Sequence, residues 1–489
     1  MGRVIAVTIL VALVVLAAIP PVVGMFLESN IRAELQIPEP NPYIEYRLTD
    51  YDRGLYSSDG VMAVRLTEEY ANSIRAQMAG AAMDDPDFRS DLEEFLQGEM
   101  QVDFDVHHGP FLVRRPGLGI AGFNSELMPP DGELAKFVAD NDLPYLLRAR
   151  GTFDFGDTLT FHYDIPPVSN ENEELAYSFT GFDAHGVLDL QSMRLKAEGG
   201  SERLRMLGDD GEVTAEGLAF SVDQTLRNQT LWLGEFSMTL DGITVNVPLP
   251  QSVEITVSKL NASGHVNLDP SGEKLQAKVR YALGSLSGMP ESEIDNFEVT
   301  IEISDVDADA YARYIELYQD MAINLDDPEQ AARINTEMAP MLADIIKGSP
   351  RLRLSPVKFN YNGEPFTLDL DVSMDGSDIP DDIDPAMLVN PMMLVGLINA
   401  SGYLETSQVI ATQIAQSVMK GQIAGSLPPD EQISPAQIEA IAAQQAAGMI
   451  DMLMQQGLLR IEGNSLRADA EFSAGELKVN GTAIPLGPM

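Results

Sequence analysis

The chain has 489 residues, no cysteine, and 31 Lys and Arg against 75 Asp and Glu, a formal charge of −44 at neutral pH. The missing thiol excludes a disulfide framework, cysteine-ligated zinc or iron–sulfur sites and a cysteine nucleophile. The acidic excess removes the counterion-release contribution on which nucleic-acid binding depends, so no nucleic-acid partner is expected. A composition of 45% hydrophobic and 22% charged residues is that of a folded chain of several domains or one elongated body. Only 9 of the 31 basic residues are Lys. That surface suits either salt-rich water or a plain acidic extracytoplasmic setting, and charge alone does not separate the two.

In chain order, Val4 to Leu27 come first: 24 residues in which Thr8 has the only hydrogen-bonding side chain. About 20 apolar residues span a bilayer, so this run is expected to be a transmembrane helix. Arg3 and the amino terminus on one side and Glu28 on the other orient it with the amino terminus in the cytoplasm and the body in the periplasm of a bacterial inner membrane. A cleaved signal peptide is the competing reading; an h-region of about 7 to 15 residues is shorter than this run. A proline-punctuated linker, 28–42, follows.

The segment 43–144 reads as strands and helices. Ile44, Tyr46 and Leu48 alternate with Glu45, Arg47 and Thr49, and Val61 to Leu66 resume a strand. Residues 67–99 read as helices broken near Asp84 to Pro86, and Gln101 to His108 alternate again, with His107 on the face of Asp103 and Asp105. From 145 to 306 nearly every stretch is a strand with a turn behind it, including Gly151 to Ile165, Gly186 to Glu198, Ser252 to Leu268 and Leu275 to Ser287. Short connections predict an antiparallel meander with one wet and one dry face.

The segment 307–489 supplies the helices expected to cover that dry face: Ala308 to Lys347, Pro385 to Gly421 and Ser434 to Gln456. Ser434-Pro435-Ala436-Gln437 is a capping box with proline at the first helical position. Helices 308–347 and 434–456 each run into an alternating hairpin, a weak internal repeat. The expected fold is therefore α+β: a transmembrane helix, then a large, mostly antiparallel, elongated and curved β-sheet body with amphipathic helices on one face.

Tyr51-Asp52-Arg53-Gly54-Leu55-Tyr56-Ser57-Ser58 and His108-Gly109-Pro110-Phe111 resemble motifs of the YdgA-like family of bacterial envelope proteins. The order of anchor, strand-rich middle and late helices is similar over nearly the whole chain. The resemblance implies a single-pass inner-membrane protein with a periplasmic body, of unknown function, for which self-association is suggested. It carries no catalytic residues to transfer. Tyr51, Arg53, Gly54, Ser57, Ser58, His108, Gly109 and Pro110 are motif residues without an assigned role.

Other chemistry is thinly supported. Gly117 to Gly122 spell G-x-G-x-x-G, but Pro116 before and Pro129-Pro130 after leave no strand and helix for a dinucleotide, and a glycine loop is expected. His107 and His108 point to opposite faces, and His162, His185 and His265 stand apart in the sequence, so no metal is expected. Neither a G-x-S-x-G elbow nor an S-x-x-K set occurs. Carboxylate pairs carry no information among 75 acids. The expectation is a non-enzymatic, cofactor-free envelope protein. One reading places a lipid or acyl chain in a groove lined by Tyr311, Tyr314, Tyr318, Met449 and Met452; the alternative is a self-associating scaffold, such as a homodimer. A hydrolase is a distant third.

Overall fold

A computed structural model of the chain describes residues 43–53, 57–78, 86–108, 121–129, 131–154, 156–171, 175–208, 211–228, 230–248, 253–289, 292–323, 338, 340–377, 379, 391–426 and 434–484. The expected anchor lies outside them. Among the described residues no helix is long and apolar enough to cross a membrane. The architecture is α+β and mainly antiparallel sheet, and the chain divides into two compact units.

The first unit comprises residues 1–230, 245–252 and 316–334. Its strands are β1 (Ile44–Arg53), β2 (Ser57–Leu66), β3 (Met100–His108), β4 (Ala121–Met128), β5 (Leu147–Phe153), β6 (Thr158–Ile165), β7 (Val168–Glu171), β8 (Leu175–Phe179), β9 (Phe182–Asp189), β10 (Arg194–Gly208) and β11 (Gly211–Arg227). β1 to β6 pair in sequence, β9 joins β6, and β10 joins β9. The far half of β10 takes β8 on that same edge, and β11 lies along its other side. Helices α1 (Glu68–Met78) and α2 (Pro86–Gln97) bury Ala71, Leu92 and Leu96 together, and α3 (Gly132–Asp140) precedes β5. One sheet face is a closed core. Leu159, Phe161, Tyr163, Ala184 and Leu188 are all no more than 5% exposed.

Two strands expected as single runs are each split in this unit. Gly151 to Ile165 breaks after Phe153 because the Asp154 carboxylate accepts the N–H groups of Gly156 (2.8 Å) and Thr158 (3.0 Å), an Asx turn. Gly186 to Glu198 breaks after Asp189, whose carboxylate accepts the N–H groups of Gln191 and Ser192 in the same manner. Ala121 and Gly122, the end of the glycine motif, open a strand rather than a helix.

The second unit comprises residues 231–244, 253–315 and 335–489. It contains most of β12 (Leu231–Val247), then β13 (Val253–Leu268), β14 (Lys274–Met289), β15 (Ser292–Asp307), the start of α4 (Ala308–Ile323), β16 (Arg351–Tyr361), β17 (Glu364–Met374), α5 (Pro391–Leu397), β18 (Ile398–Ser407), α6 (Gln408–Ser426), α7 (Pro435–Gln455) and β19 (Arg460–Glu462). β20 (Ser465–Ser473), β21 (Glu476–Val479) and β22 (Thr482–Ile484) end it. β13 to β18 pair in order and β20 pairs with β18. The predicted capping box of α7 is formed, Ser434 and Gln437 each accepting the other's backbone N–H.

The helix expected over Pro385 to Gly421 is corrected. Ile398 to Ser407 form β18, held on one side by β17 and on the other by β20. Ile398 to Ser407 carry Asn399, Ser401, Glu405, Thr406 and Ser407 with little intrinsic preference for helix over strand, so the two complete backbone ladders decide.

Candidate functional site: an open apolar floor

Side chains alternate between the faces of a strand, so register decides what each face of the second unit contains. One row across the strands runs Val266, Ala277, Ile303, Leu352, Val372, Ala400, Phe472. The next runs Gly264, Val279, Ile301, Leu354, Leu370, Gly402, Ala470, and the third Ala262, Tyr281, Val299, Val357, Leu368, Leu404, Ala468. The Tyr281 hydroxyl is the single polar side-chain group at these positions. Six strand spacings make the rows about 29 Å long, and three rows are about 13 Å wide.

The opposite face is charged. Lys278 meets Glu302 at 2.7 Å, Arg280 and Lys358 meet Glu298 at 2.7 and 2.8 Å, and Arg467 meets Glu405 at 3.0 Å. Hydrogen bonds from Arg280 and Lys358 hold the Glu298 carboxyl down to about 2. This is the wet face.

Among the described residues, helices cover the apolar face only at its two ends. At one end Leu275 and Val306 are buried, and Ala308, Tyr311 and Ala312 of α4 pack with Leu231 and Leu268. There, too, Ala343 and Ile346 of the helical residues 341–347 pack on Met374 and Leu397. At the other end Thr406 and Leu466 are buried, beneath the packed pair α6 and α7. None of the residues in the three middle rows is buried. Tyr281 is 44%, Leu352 39% and Ile303 37% exposed, ten times the exposure of the matching core positions in the first unit. Gly264 makes room for the Phe236 ring of β12: a Cβ there would stand 2.6 Å from the Lys278 carbonyl oxygen and 2.9 Å from that ring, well inside contact distance.

The expected groove residues are thus divided between the walls. Tyr311 sits in the cluster under α4, stacked on Tyr314 with ring centroids 6.2 Å apart, and burial pushes its hydroxyl up. Met449 packs in the separate cluster around Ala446 and Leu466, and Met452 of the same helix is 49% exposed. The Tyr318 side chain lies outside the described residues. Sequence reasoning missed the floor because no single strand carries it. The usable signal was the alternation of β14 to β17, read across rather than along the strands.

The motif residues meet at one end of the first unit's sheet. Tyr51 is opposite Gly60, Arg53 opposite Ser58 and Ser57 opposite His107. β2 lies between β1 and β3, and His108 is opposite Ala121, so the described parts of the two motifs sit at the same end of three adjacent strands. Tyr51 packs against the cluster of Met62, Phe104 and Val106. Gly54, Gly109 and Pro110 lie outside the described residues.

The histidines that stand apart in the sequence do not all stand apart in space. His162 and His185 are directly opposed on β6 and β9. Arg150 donates to His162 Nδ1 at 2.7 Å, which leaves the proton on Nε2, bonded to Asp183. His185 meets Glu198 at 3.0 Å. Beside them Asp164 accepts from Tyr145, Arg148 and Arg150; burial and then that bond push the Tyr145 hydroxyl up to about 12. Among the described residues no three such side chains converge as metal ligands. The arrangement is a lattice of ion pairs on the wet face.

Over residues 3–487 the chain matches a family model described as a bacterial protein of unknown function, DUF945. The chain belongs to this family. No curated protein and no solved structure matches it. A role for this DUF945 chain therefore has to come from its own floor, walls and charges.

Proposed function

We propose that this protein is a non-enzymatic, membrane-anchored component of the bacterial cell envelope that holds a lipid acyl chain against the open floor of its second unit. Residues 4–27 anchor it in the inner membrane, and the body stands in the periplasm. The observation that carries the reading is the floor: 21 positions in three rows, no charge, one hydroxyl, three of them exposed, eighteen half-buried and none fully buried. The backbone beneath it is already paired in the sheet, so an occupant finds almost nothing to hydrogen-bond. A protein partner brings about one hydrogen bond per 100–200 Å² of interface and would leave its own polar groups unsatisfied here. A hydrocarbon chain has none to satisfy, and each covered methylene favours binding.

The test is the lipid content of the protein extracted from membranes into detergent-free discs, measured by mass spectrometry for the wild type and for Leu352→Asp. Lipid bound to the isolated body after release from the disc, and lost in the variant, supports the reading. A lipid-free wild-type body that sediments as a dimer replaces it with the self-associating scaffold.

A further inference from the structure

The hairpin of α6 and α7 differs in charge from the rest of the chain. Its 19 and 21 residues contain Lys420, Glu439 and Asp451 as their only charged side chains, a net −1. The other 449 residues therefore carry −43 of the total −44. Lys420 also pairs with Glu439 at 2.9 Å, so the two helices are close to neutral locally as well as in sum, while Asp430 and Glu431 in the residues that join them bring the hairpin to −3.

Its inner side is built from small residues. Ala415, Ala442 and Ala446 are 3%, 0% and 0% exposed, which lets the helices approach closely and seat on Leu466. Its outer side is the reverse: Ile414 and Val418 of α6, one turn apart, and Ile441 and Met452 of α7, three turns apart, are 40–49% exposed. Of the exposed polar residues, Gln413, Gln422 and Gln445 are uncharged, whereas Glu439, paired with Lys420, and Asp451 carry charge.

We infer that the outer surface of this hairpin docks on a lipid bilayer with zwitterionic headgroups. Four half-exposed aliphatic side chains on one hairpin gain by entering the headgroup–acyl boundary, and the uncharged glutamines beside them can follow without an ion-desolvation cost, Asp451 staying at the level of the headgroups. Charge selects the occupant. Helices that bind anionic lipids carry Lys and Arg on their polar face; this hairpin has one Lys, already paired. A second copy at this surface would draw two bodies of −44 together, with the repulsion that follows. A neutral bilayer imposes neither penalty. The surface also adjoins the α6–α7 wall of the floor, but the inference does not depend on what the floor binds.

Because the chain has no cysteine, Val418→Cys creates a single site for a nitroxide spin label in the full-length protein, with Glu471→Cys on the charged face of the same unit as reference. The labelled proteins are placed in phosphatidylcholine discs. The label at 418 should be relaxed by oxygen dissolved in the bilayer and shielded several-fold from an aqueous nickel complex relative to the label at 471. Repeating the measurement in phosphatidylglycerol discs should weaken that contrast, since the body is repelled. Equal access of the aqueous quencher to both positions overturns the inference. So does dipolar broadening between labels at 418 of two copies, which identifies a second chain as the occupant. A lipid-free floor alongside a membrane-shielded 418 would leave this surface standing while removing the acyl-chain reading.

Discussion

Replacing Leu352 by Asp should weaken acyl-chain binding without unfolding the protein. Leu352 lies in the middle of a floor row between Ile303 and Val372 and is already 39% exposed, so the folded state loses little packing. The expected stability cost is about 1 kcal/mol, the range of strand preference at one position. Burying a methylene fully is worth about 0.8 kcal/mol, so a floor that covers one side of a chain gives about 0.4 per methylene and about 6 kcal/mol for sixteen. That corresponds to a dissociation constant of about 40 µM. A carboxylate at 352 keeps its water and lifts about four methylenes off the floor, a loss of about 1.6 kcal/mol or about fifteenfold in affinity. Titration of a fluorescent acyl probe into the chain from residue 43 onward measures this, with circular dichroism to confirm folding. Arg353→Gln, one residue along but on the charged face, should bind as the wild type does. Binding by Leu352→Asp within twofold of the wild type, or no binding by the wild type, refutes the reasoning.

A reporter enzyme fused after Met489 should be active only in the periplasm, and the mature protein should keep Met1; an amino terminus near Met25 would remove the anchor. If the −44 surface is adapted to salt, the melting temperature of the body should rise with KCl beyond the effect of a neutral osmolyte at matched activity, because screening relieves self-repulsion; equal melting at low and high salt would count against it. Glu298, held down to about 2 from an ordinary 4.5, stabilises the fold above pH 4.5 and loses that contribution as pH falls towards 2, at most about 3 kcal/mol for a side chain still partly in water. The difference in unfolding free energy between the wild type and Glu298→Gln should therefore be largest at neutral pH and shrink on acidification, and a gap independent of pH would contradict the assignment. Ala446→Leu, at a position with no exposure between α6 and α7, should lower stability by about 1–3 kcal/mol through overpacking; a thermal melt unchanged from wild type would mean that the helices do not approach so closely.

Local rules were legible where a local cause acts. Alternation placed β3, β13 and β14 within two residues of their observed ends. Ser434 and Gln437 announced the start of α7, because a capping box needs only four neighbouring residues. Reading failed where the cause was short-range but subtle, as at the Asp154 and Asp189 turns, or lay far away, as for β18, whose partners are about 30 residues before it and about 65 after. Helical and extended readings of Ile398 to Ser407 differ little in intrinsic preference, so the ladders on either side decide.

What the amino-acid order determined by itself was therefore most, though not all, of the strand and helix inventory, the acidity, the absence of thiol chemistry and the existence of apolar strand faces. Each depends on residue identity or on spacings of two to four along the chain. Which apolar face is closed and which stays open was decided only in three dimensions. The strands of both units alternate alike, yet Phe161 and Leu188 are buried while Ile303 and Leu352 are not. The difference comes from where α4, the helical residues 341–347, α6 and α7 come to rest. They seat at the two ends of the second unit's apolar face, on the row of Leu275 and Val306 and on Leu466, and among the described residues no helix lies over the middle rows. Burial is a property of surfaces brought together from distant parts of the chain, and no local pattern records which of two equivalent faces will receive one.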